Sequence, residues 1–237
     1  FQLRRLRPDV LHAYLFKANW VGTVAGRLAG VPIILTSRRS LGYDLTGRRA
    51  TIQRFVNRFT DCVVGNTATV LERAEELEGG LPTTAIIGNG VRISERFATD
   101  SVAGAKASRP GGNRIGMLAN VRPVKGHTIM LRAFRWILDT VPDARLELMG
   151  NRTSDPAWTR KCDQLADILE ISDRITWWDA STPPADFFSV VDVLALPSLS
   201  EGLSNALLEG MAFGLPIVAT DVGGSRDALA NAGTIFP

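Results

Sequence analysis

Sulfur ligands and imidazoles are scarce in this chain of 237 residues, which has two cysteines, Cys62 and Cys162, and two histidines, His12 and His127. Two thiols so far apart, without a second ligand pair near either, exclude a disulfide framework and a Cys/His zinc module. They read as reduced core residues. Each histidine stands alone at a strand end or a helix start, so a structural imidazole is the plain reading and no metal site is expected. Long apolar runs are also missing. None approaches the ~18 residues of a membrane-spanning helix, and the opening FQLRRLRPDV lacks the apolar core of a signal peptide. No G-x-G-x-x-G follows any strand, and there is neither a P-loop nor a Ser-His-Asp order. These absences disfavour nicotinamide and flavin enzymes, P-loop proteins and serine hydrolases. The chain opens at Phe1 without a methionine, just before a strand, and stops at Pro237 as another begins. It is expected to be a fragment, with its first domain incomplete and its second truncated.

What is present suffices for a folded protein. The 45% hydrophobic content supports buried cores, either one large α/β domain or two of about 100 to 120 residues. The net charge of +3 is unevenly spread. Residues 1 to 60 hold eleven Lys or Arg against Asp9 and Asp44, a net +9, so the remainder carries −6. A basic first part is either ordinary solvated arginine or a surface that attracts an anionic acceptor or membrane leaflet. Nucleic acid is not expected, because no recognition motif accompanies the charge.

Periodicity along the chain alternates between strand and helix. Strands are expected at 9–14, 31–36, 61–65 and 84–87, with helices over 18–29, around Ile52, Phe55, Val56 and Phe59, and over 67–77. A basic polar loop over 37–49 follows the second strand. Gly22, Gly26 and Gly30 recur four apart in the first of these helices, a spacing that suits close packing of helix on sheet. From 99 to 113 periodicity stops in TDSVAGAKASRPGGN, which reads as a domain linker. Alternation then resumes with strands at 114–119, 145–149 and 174–177 and helices over 126–139 and around Trp158, Cys162, Leu165 and Leu169. Such alternation predicts parallel sheets with helical crossovers, hence an α/β protein of two Rossmann-like domains, 1–98 and 114–237.

The stretch from Val190 to Gly224 carries the most information. An apolar strand breaks at Pro197-Ser198, Ser204 or Asn205 offers an N-cap, and a helix bearing Leu207, Leu208 and Met211 ends at Gly214. The strand 217–220 completes a βαβ unit. The loop and helix start of such a unit lie at the carboxyl edge of a parallel sheet, where N–H groups and the helix dipole favour phosphate. Two carboxylates, Glu201 and Glu209, flank that helix start. On one helix their eight steps would span about 12 Å; with Glu201 in the loop they could face opposite ends of one ligand. After the first strand of the second half, MLANVRPVKGHT places Arg122 and Lys125 at a strand's carboxyl end. Cations there could meet the charge of a leaving diphosphate.

The string SEGLSNALLEGMAFGLPIVATDVGG resembles the E-x7-E segment of family 4 retaining glycosyltransferases, which have the two-domain GT-B fold. RPDVLHAY, GVPIILTSRR, VVGNTATV and IIGNGV in the first half resemble the same family. The resemblance implies transfer of a sugar from a nucleoside-diphosphate sugar to a hydroxyl acceptor with retention at the anomeric carbon, in polysaccharide or glycolipid synthesis. It implies Glu201 near the donor sugar's hydroxyls, Glu209 on the ribose, and the backbone from Gly202 through Leu203 and Ser204 to Asn205 around the diphosphate. Lys125 and Arg122 would serve the leaving group. The family has an arginine five residues before its Lys-Gly pair, and here that position is Asn120, so Arg122 is expected to substitute. Where the family has a donor-facing histidine after the second strand, this chain has Arg38, which is expected to bind an anionic group on donor or acceptor. Gly223-Gly224 is expected to form a turn beside the donor, and Asp227 stands where the family often has Glu. No metal or other cofactor is implied, because Lys and Arg do the work that Mg²⁺ does elsewhere. The expected setting is cytoplasmic, with peripheral contact at the inner membrane face and a lipid-linked or anionic acceptor. Two rivals remain: a nucleotide-sugar 2-epimerase of the same fold, and a non-catalytic module that binds nucleotide sugars or a membrane surface.

Overall fold

The structure, a computed structural model, describes residues 2–42, 45–91 and 112–237. Apart from residues 112 and 113, the linker expected over 99–113 lies outside the described residues. The described chain divides into two compact units, one of residues 1–89 with 200–203 and one of 90–199 with 204–237.

In the first unit a short helix α1 (Gln2–Leu6) precedes β1 (Val10–Tyr14), α2 (Phe16–Ala29), β2 (Ile33–Arg38), α3 (Arg48–Asn57), β3 (Cys62–Gly65), α4 (Ala68–Glu78) and β4 (Thr83–Ile86). All four described strands are parallel, in the order β1-β2-β3-β4. Ile34 and Val63 sit at the centre of this sheet with no solvent exposure. A Cβ on Gly26 would come within 2.8 Å of Leu11 Cδ2 and 2.9 Å of Ile34 Cδ1, so the glycine lets α2 lie close against β1 and β2. Helix α4 starts where Thr67 Oγ1 accepts from the Val70 N–H at 3.2 Å.

The second unit contains β5 (Arg114–Leu118), α5 (His127–Thr140), β6 (Arg145–Met149), α6 (Pro156–Ile168), β7 (Ile175–Trp178), α7 (Pro184–Val190), β8 (Val193–Leu196), α8 (Asn205–Ala212), β9 (Ile217–Thr220), α9 (Ser225–Leu229) and β10 (Thr234–Phe236). Among the described residues its six parallel strands run in the order β10-β9-β8-β5-β6-β7. The chain therefore winds one way from β5 to β7, returns to place β8 on the other side of β5, and winds outward to β10. The point of reversal lies between β5 and β8. One apolar cluster packs Met117, Phe134, Leu146 and Leu148 together, and another packs Phe187, Phe188, Leu194, Leu207 and Ile217. Each such side chain, fully buried, contributes about 1.5–3 kcal/mol.

Three differences from the sequence reading have local causes. Strand β2 runs on to Arg38, because Arg38 pairs in register with Gly65 of β3 and its side chain is held inside the unit. Helix α7 was not anticipated. It begins at Pro184, whose fixed φ and missing N–H suit a first helical position, and is anchored by the fully buried Phe187 and Phe188. The strand after it consequently starts at Val193 rather than Val190, beyond Asp192, whose carboxylate accepts from the Arg114 N–H at 2.9 Å.

Candidate functional site

In an open parallel sheet the point of reversal leaves a crevice outside the carboxyl ends of the two strands that flank it. Here those strands are β5 and β8, and the loops that follow them are the two that the sequence singles out. After β5 the chain passes Asn120 and Arg122, makes a 3-10 turn over Pro123–Lys125, and enters α5 through Gly126. Gly126 has φ 75°, and a Cβ there would lie 1.8 Å from the carbonyl oxygen of Pro197, at the end of β8. Only glycine permits this approach. The Leu199 N–H also donates to the Val124 carbonyl at 2.8 Å, so the two loops are stitched backbone to backbone. Arg122 is exposed and Lys125 half-buried. The exposed Asn120 supports this loop from one side: its Oδ1 accepts from the Asn151 N–H at 3.0 Å.

The loop after β8 carries Glu201, Gly202 and Leu203 and ends at Ser204, which caps α8 by accepting from the Leu207 N–H at 3.4 Å. Asn205 is the first helical residue and is exposed. Thr220 Oγ1 donates to the Ser198 carbonyl at 2.5 Å, which ties the start of the loop to the end of β9. Glu209, one turn into α8, is half-buried and has no side-chain hydrogen bond or ion pair among the described residues. Burial pushes its carboxyl above the ordinary glutamate range. An ionised carboxylate so placed is poorly compensated in the unliganded protein, and ligand hydroxyls would relieve it.

Gly223 and Gly224 form the turn between β9 and α9, with Gly223 at φ 56° and Gly224 as the N-cap of α9. Arg226 braces the turn, its Nε donating to both carboxylate oxygens of Asp221 at 3.0 Å. That guanidinium holds the Asp221 carboxyl below the usual carboxylate range. Asp227 lies within α9.

The expectation for Arg38 is corrected. Its Nε donates to Glu78 Oε1 at 2.7 Å, and its Nη2 donates to Glu78 Oε2 at 2.8 Å and Asn57 Oδ1 at 2.9 Å. Its Nη1 donates to Thr36 Oγ1 at 3.1 Å and reaches the Ser37 carbonyl at 3.5 Å. Every N–H of the guanidinium is thereby engaged within the fold, opposite a fully buried carboxylate, and none is offered to a ligand. Glu78 stands forty residues further on, at the end of α4, and no local sequence pattern links it to Arg38.

His127 behaves as a structural imidazole. It is 1% exposed, hydrogen-bonded to the Ala119 backbone and stacked on Trp177 at 6.2 Å between ring centroids. Burial lowers its pKa to about 4. Among the described residues, no group of three or more His, Cys, Asp or Glu could hold a metal ion, and no helix is long and apolar enough to cross a membrane.

Comparison with known proteins bears on this arrangement. Residues 112–237 match the profile "Glycosyl transferases group 1", and residues 1–90 match "Glycosyl transferase 4-like domain". Curated relatives include D-inositol 3-phosphate glycosyltransferases of Rhodococcus erythropolis and Streptomyces scabiei. The first is 27% identical over 245 residues, covering 95% of this chain and 55% of the relative. The second is 28% identical over 256 residues, covering 96% and 56%. This chain thus spans little more than half the length of these relatives. Among solved structures, Anabaena HepE in complex with UDP and glucose superposes with a TM-score of 0.84 at 18% identity, over 99% of this chain and 66% of that one. The sucrose-phosphate synthase of Thermosynechococcus elongatus superposes with a TM-score of 0.83 at 22% identity, over 100% and 62%. The fold is that of GT-B glycosyltransferases.

Proposed function

Because this chain belongs to the glycosyl transferases group 1 family, we propose that the intact protein moves a hexosyl group from a nucleoside-diphosphate sugar to a hydroxyl acceptor with retention at the anomeric carbon. The curated relatives are named as glycosyltransferases, and a protein of the same fold was solved with UDP and glucose. The observation that carries the reading is the switch point. Its two loops are joined through Gly126 and Pro197, one bearing Arg122 and Lys125 and the other leading to the N-terminus of α8.

In this reading the N–H groups at the start of α8, from Gly202 through Leu203 and Ser204 to Asn205, receive the diphosphate. Glu209 accepts from the ribose hydroxyls and Glu201 from those of the donor sugar. The acceptor oxygen bonds to the anomeric carbon as the bond from that carbon to the phosphate oxygen breaks. The electron pair leaves with the diphosphate, and the acceptor proton passes to a departing phosphate oxygen. Lys125, seconded by Arg122, neutralises the charge that grows on that group, and no metal is assigned to the step. Asn120, Gly223 and Gly224 shape the rim of the site. The basic first sixty residues support an anionic or lipid-linked acceptor reached from the cytoplasm at the inner membrane face.

Titration of the intact protein with UDP-, GDP- and ADP-sugars, followed by thermal shift, tests donor binding. One family of donors is expected to raise the melting temperature in a saturable way. No shift with any nucleotide sugar would count against the reading. A donor bound and epimerised, with no transfer, would favour the 2-epimerase.

A further inference from the structure

Residues 200–203 belong to the first compact unit, and the side chains that meet them there come from the ends of successive strands. Arg39 follows β2, Asn66 follows β3 and Asn89 lies just beyond β4. A Cβ on Gly202 would lie 2.4 Å from the Arg39 carbonyl oxygen and 3.1 Å from Asn66 Nδ2, so only glycine lets the chain pass this near the backbone of Arg39. At the next residue the approach becomes a hydrogen bond. Asn89 Nδ2 donates to the Leu203 carbonyl at 3.0 Å, across 114 residues of sequence.

The Asn89 amide is itself oriented. Its Oδ1 accepts from Nη2 of Arg39. A guanidinium donates and never accepts, so the oxygen end of the amide turns to Arg39 and the NH2 end is left for Leu203.

The consequence reaches one bond further along the chain. No described peptide bond is cis, and in a planar trans peptide the C=O and the N–H point in opposite directions. Holding the Leu203 carbonyl against Asn89 therefore also sets the direction of the Ser204 N–H, on the other side of the same plane. Ser204 is in turn the N-cap of α8, its Oγ accepting from the Leu207 N–H at 3.4 Å. The peptide is thus held from both ends, and its N–H is one of those assigned above to the diphosphate.

We propose that Asn89 is a positioning residue for sugar transfer: oriented by Arg39, it fixes the Leu203–Ser204 peptide so that the Ser204 N–H is aimed at the diphosphate before the donor arrives. The inference rests on the transferase reading. Charge on the diphosphate grows as its bond to the sugar breaks, so an N–H set in advance favours the departing group over the bound donor.

The test compares the intact wild type with Asn89→Leu, Asn89→Ala, Arg39→Ala and the double variant Arg39→Ala/Asn89→Ala. Leucine keeps roughly the size of asparagine without a donor or a charge, and alanine serves should leucine impair folding, which melting curves report. Release of nucleoside diphosphate is followed over a range of donor concentrations for UDP-, GDP- and ADP-sugars, and binding of free UDP, GDP and ADP is measured by isothermal titration. Both Asn89 variants should lower kcat about tenfold, and weaken the free nucleoside diphosphate, which carries the leaving group's charge, by about as much. KM for the donor should change by less than about threefold. Arg39→Ala should act in the same direction, and its effect should vanish once Asn89 is alanine, because the guanidinium acts through the amide. Unchanged kcat and diphosphate affinity in both Asn89 variants would overturn the proposal. A lower melting temperature with kcat intact, or a higher donor KM alone, would also overturn it, since a merely structural tether gives those results. An Arg39 effect that persists in full without Asn89 would overturn the orientation by Arg39. A wild type that neither consumes a nucleotide sugar nor binds a nucleoside diphosphate would remove the transferase reading itself, whereas an active wild type indifferent to Asn89 would remove only the positioning role.

Discussion

At the scale of residues, two buried side chains and one half-buried carboxylate carry separable expectations. Glu78 is fully buried and holds the Arg38 guanidinium, so Glu78→Ala would leave that cation uncompensated. The first unit should lose about 3 kcal/mol or more, read as a lower urea midpoint; a midpoint close to wild type would show that the pair is not an anchor. His127 has a folded pKa of about 4 against an ordinary 6.5, so the native state favours the neutral ring. Its contribution is complete above pH 6.5 and is lost as pH falls from there to about 4, where the unfolded chain binds a proton that the native state refuses. His127→Phe should flatten stability across that window, and an unaltered acid limb would contradict the assignment. Glu209 differs in sign, since burial raises its pKa. Donor affinity should therefore begin to fall at a higher pH than for an ordinary glutamate, as the carboxylate proposed to accept from the ribose is protonated. Glu209→Ala should cost about 1.5–3 kcal/mol of nucleotide binding while folding is kept. Affinity and turnover both unchanged would remove Glu209 from the ribose.

At the scale of elements, the loop from Asn120 to Gly126 and the start of α8 were largely legible in the sequence. The Lys-Gly pair after an apolar strand, and the Ser-Asn start of a small-residue helix, are local patterns with local causes. What the sequence could not reveal is that Gly126 meets Pro197, because register between β5 and β8 decides it. Gly126→Ala should destabilise the second unit by roughly 3 kcal/mol, from the positive φ and the backbone clash together. A wild-type melt would show that the loops can part. Lys125→Ala should lower turnover more than donor affinity, since in the proposed reaction its charge is needed most as the diphosphate leaves. Arg122→Ala should behave likewise, and full kcat in that variant would leave Arg122 a solvated base. Arg38 marks the limit of local reasoning. Its place after a strand suggested a ligand, while its partners Asn57 and Glu78 come from two other helices. Helix α7 was missed for a related reason. It is short, and Phe187 and Phe188 hold it by tertiary burial rather than by periodicity.

For the whole molecule, strict alternation of strand and helix was enough to foresee parallel sheets, because crossover connections leave few other arrangements. Strand order was not foreseeable at that level, yet it creates the switch point and hence the candidate site. The uneven charge also acts at this scale. The net +9 of the first sixty residues should give association with anionic vesicles that weakens steeply as salt is raised. Salt-independent association, or none, would argue against a membrane-facing role.

The central claim is that a nucleoside-diphosphate sugar is bound and opened at the junction of the β5 and β8 loops. The most direct measurement is release of free nucleoside diphosphate from a panel of UDP-, GDP- and ADP-sugars by the intact protein, compared with Lys125→Ala and Glu209→Ala. One donor should be consumed. Lys125→Ala should slow release at saturating donor, and Glu209→Ala should raise the donor concentration needed for half-maximal rate. Release that neither substitution alters, or none from any donor while the wild-type fold is intact, would contradict the account.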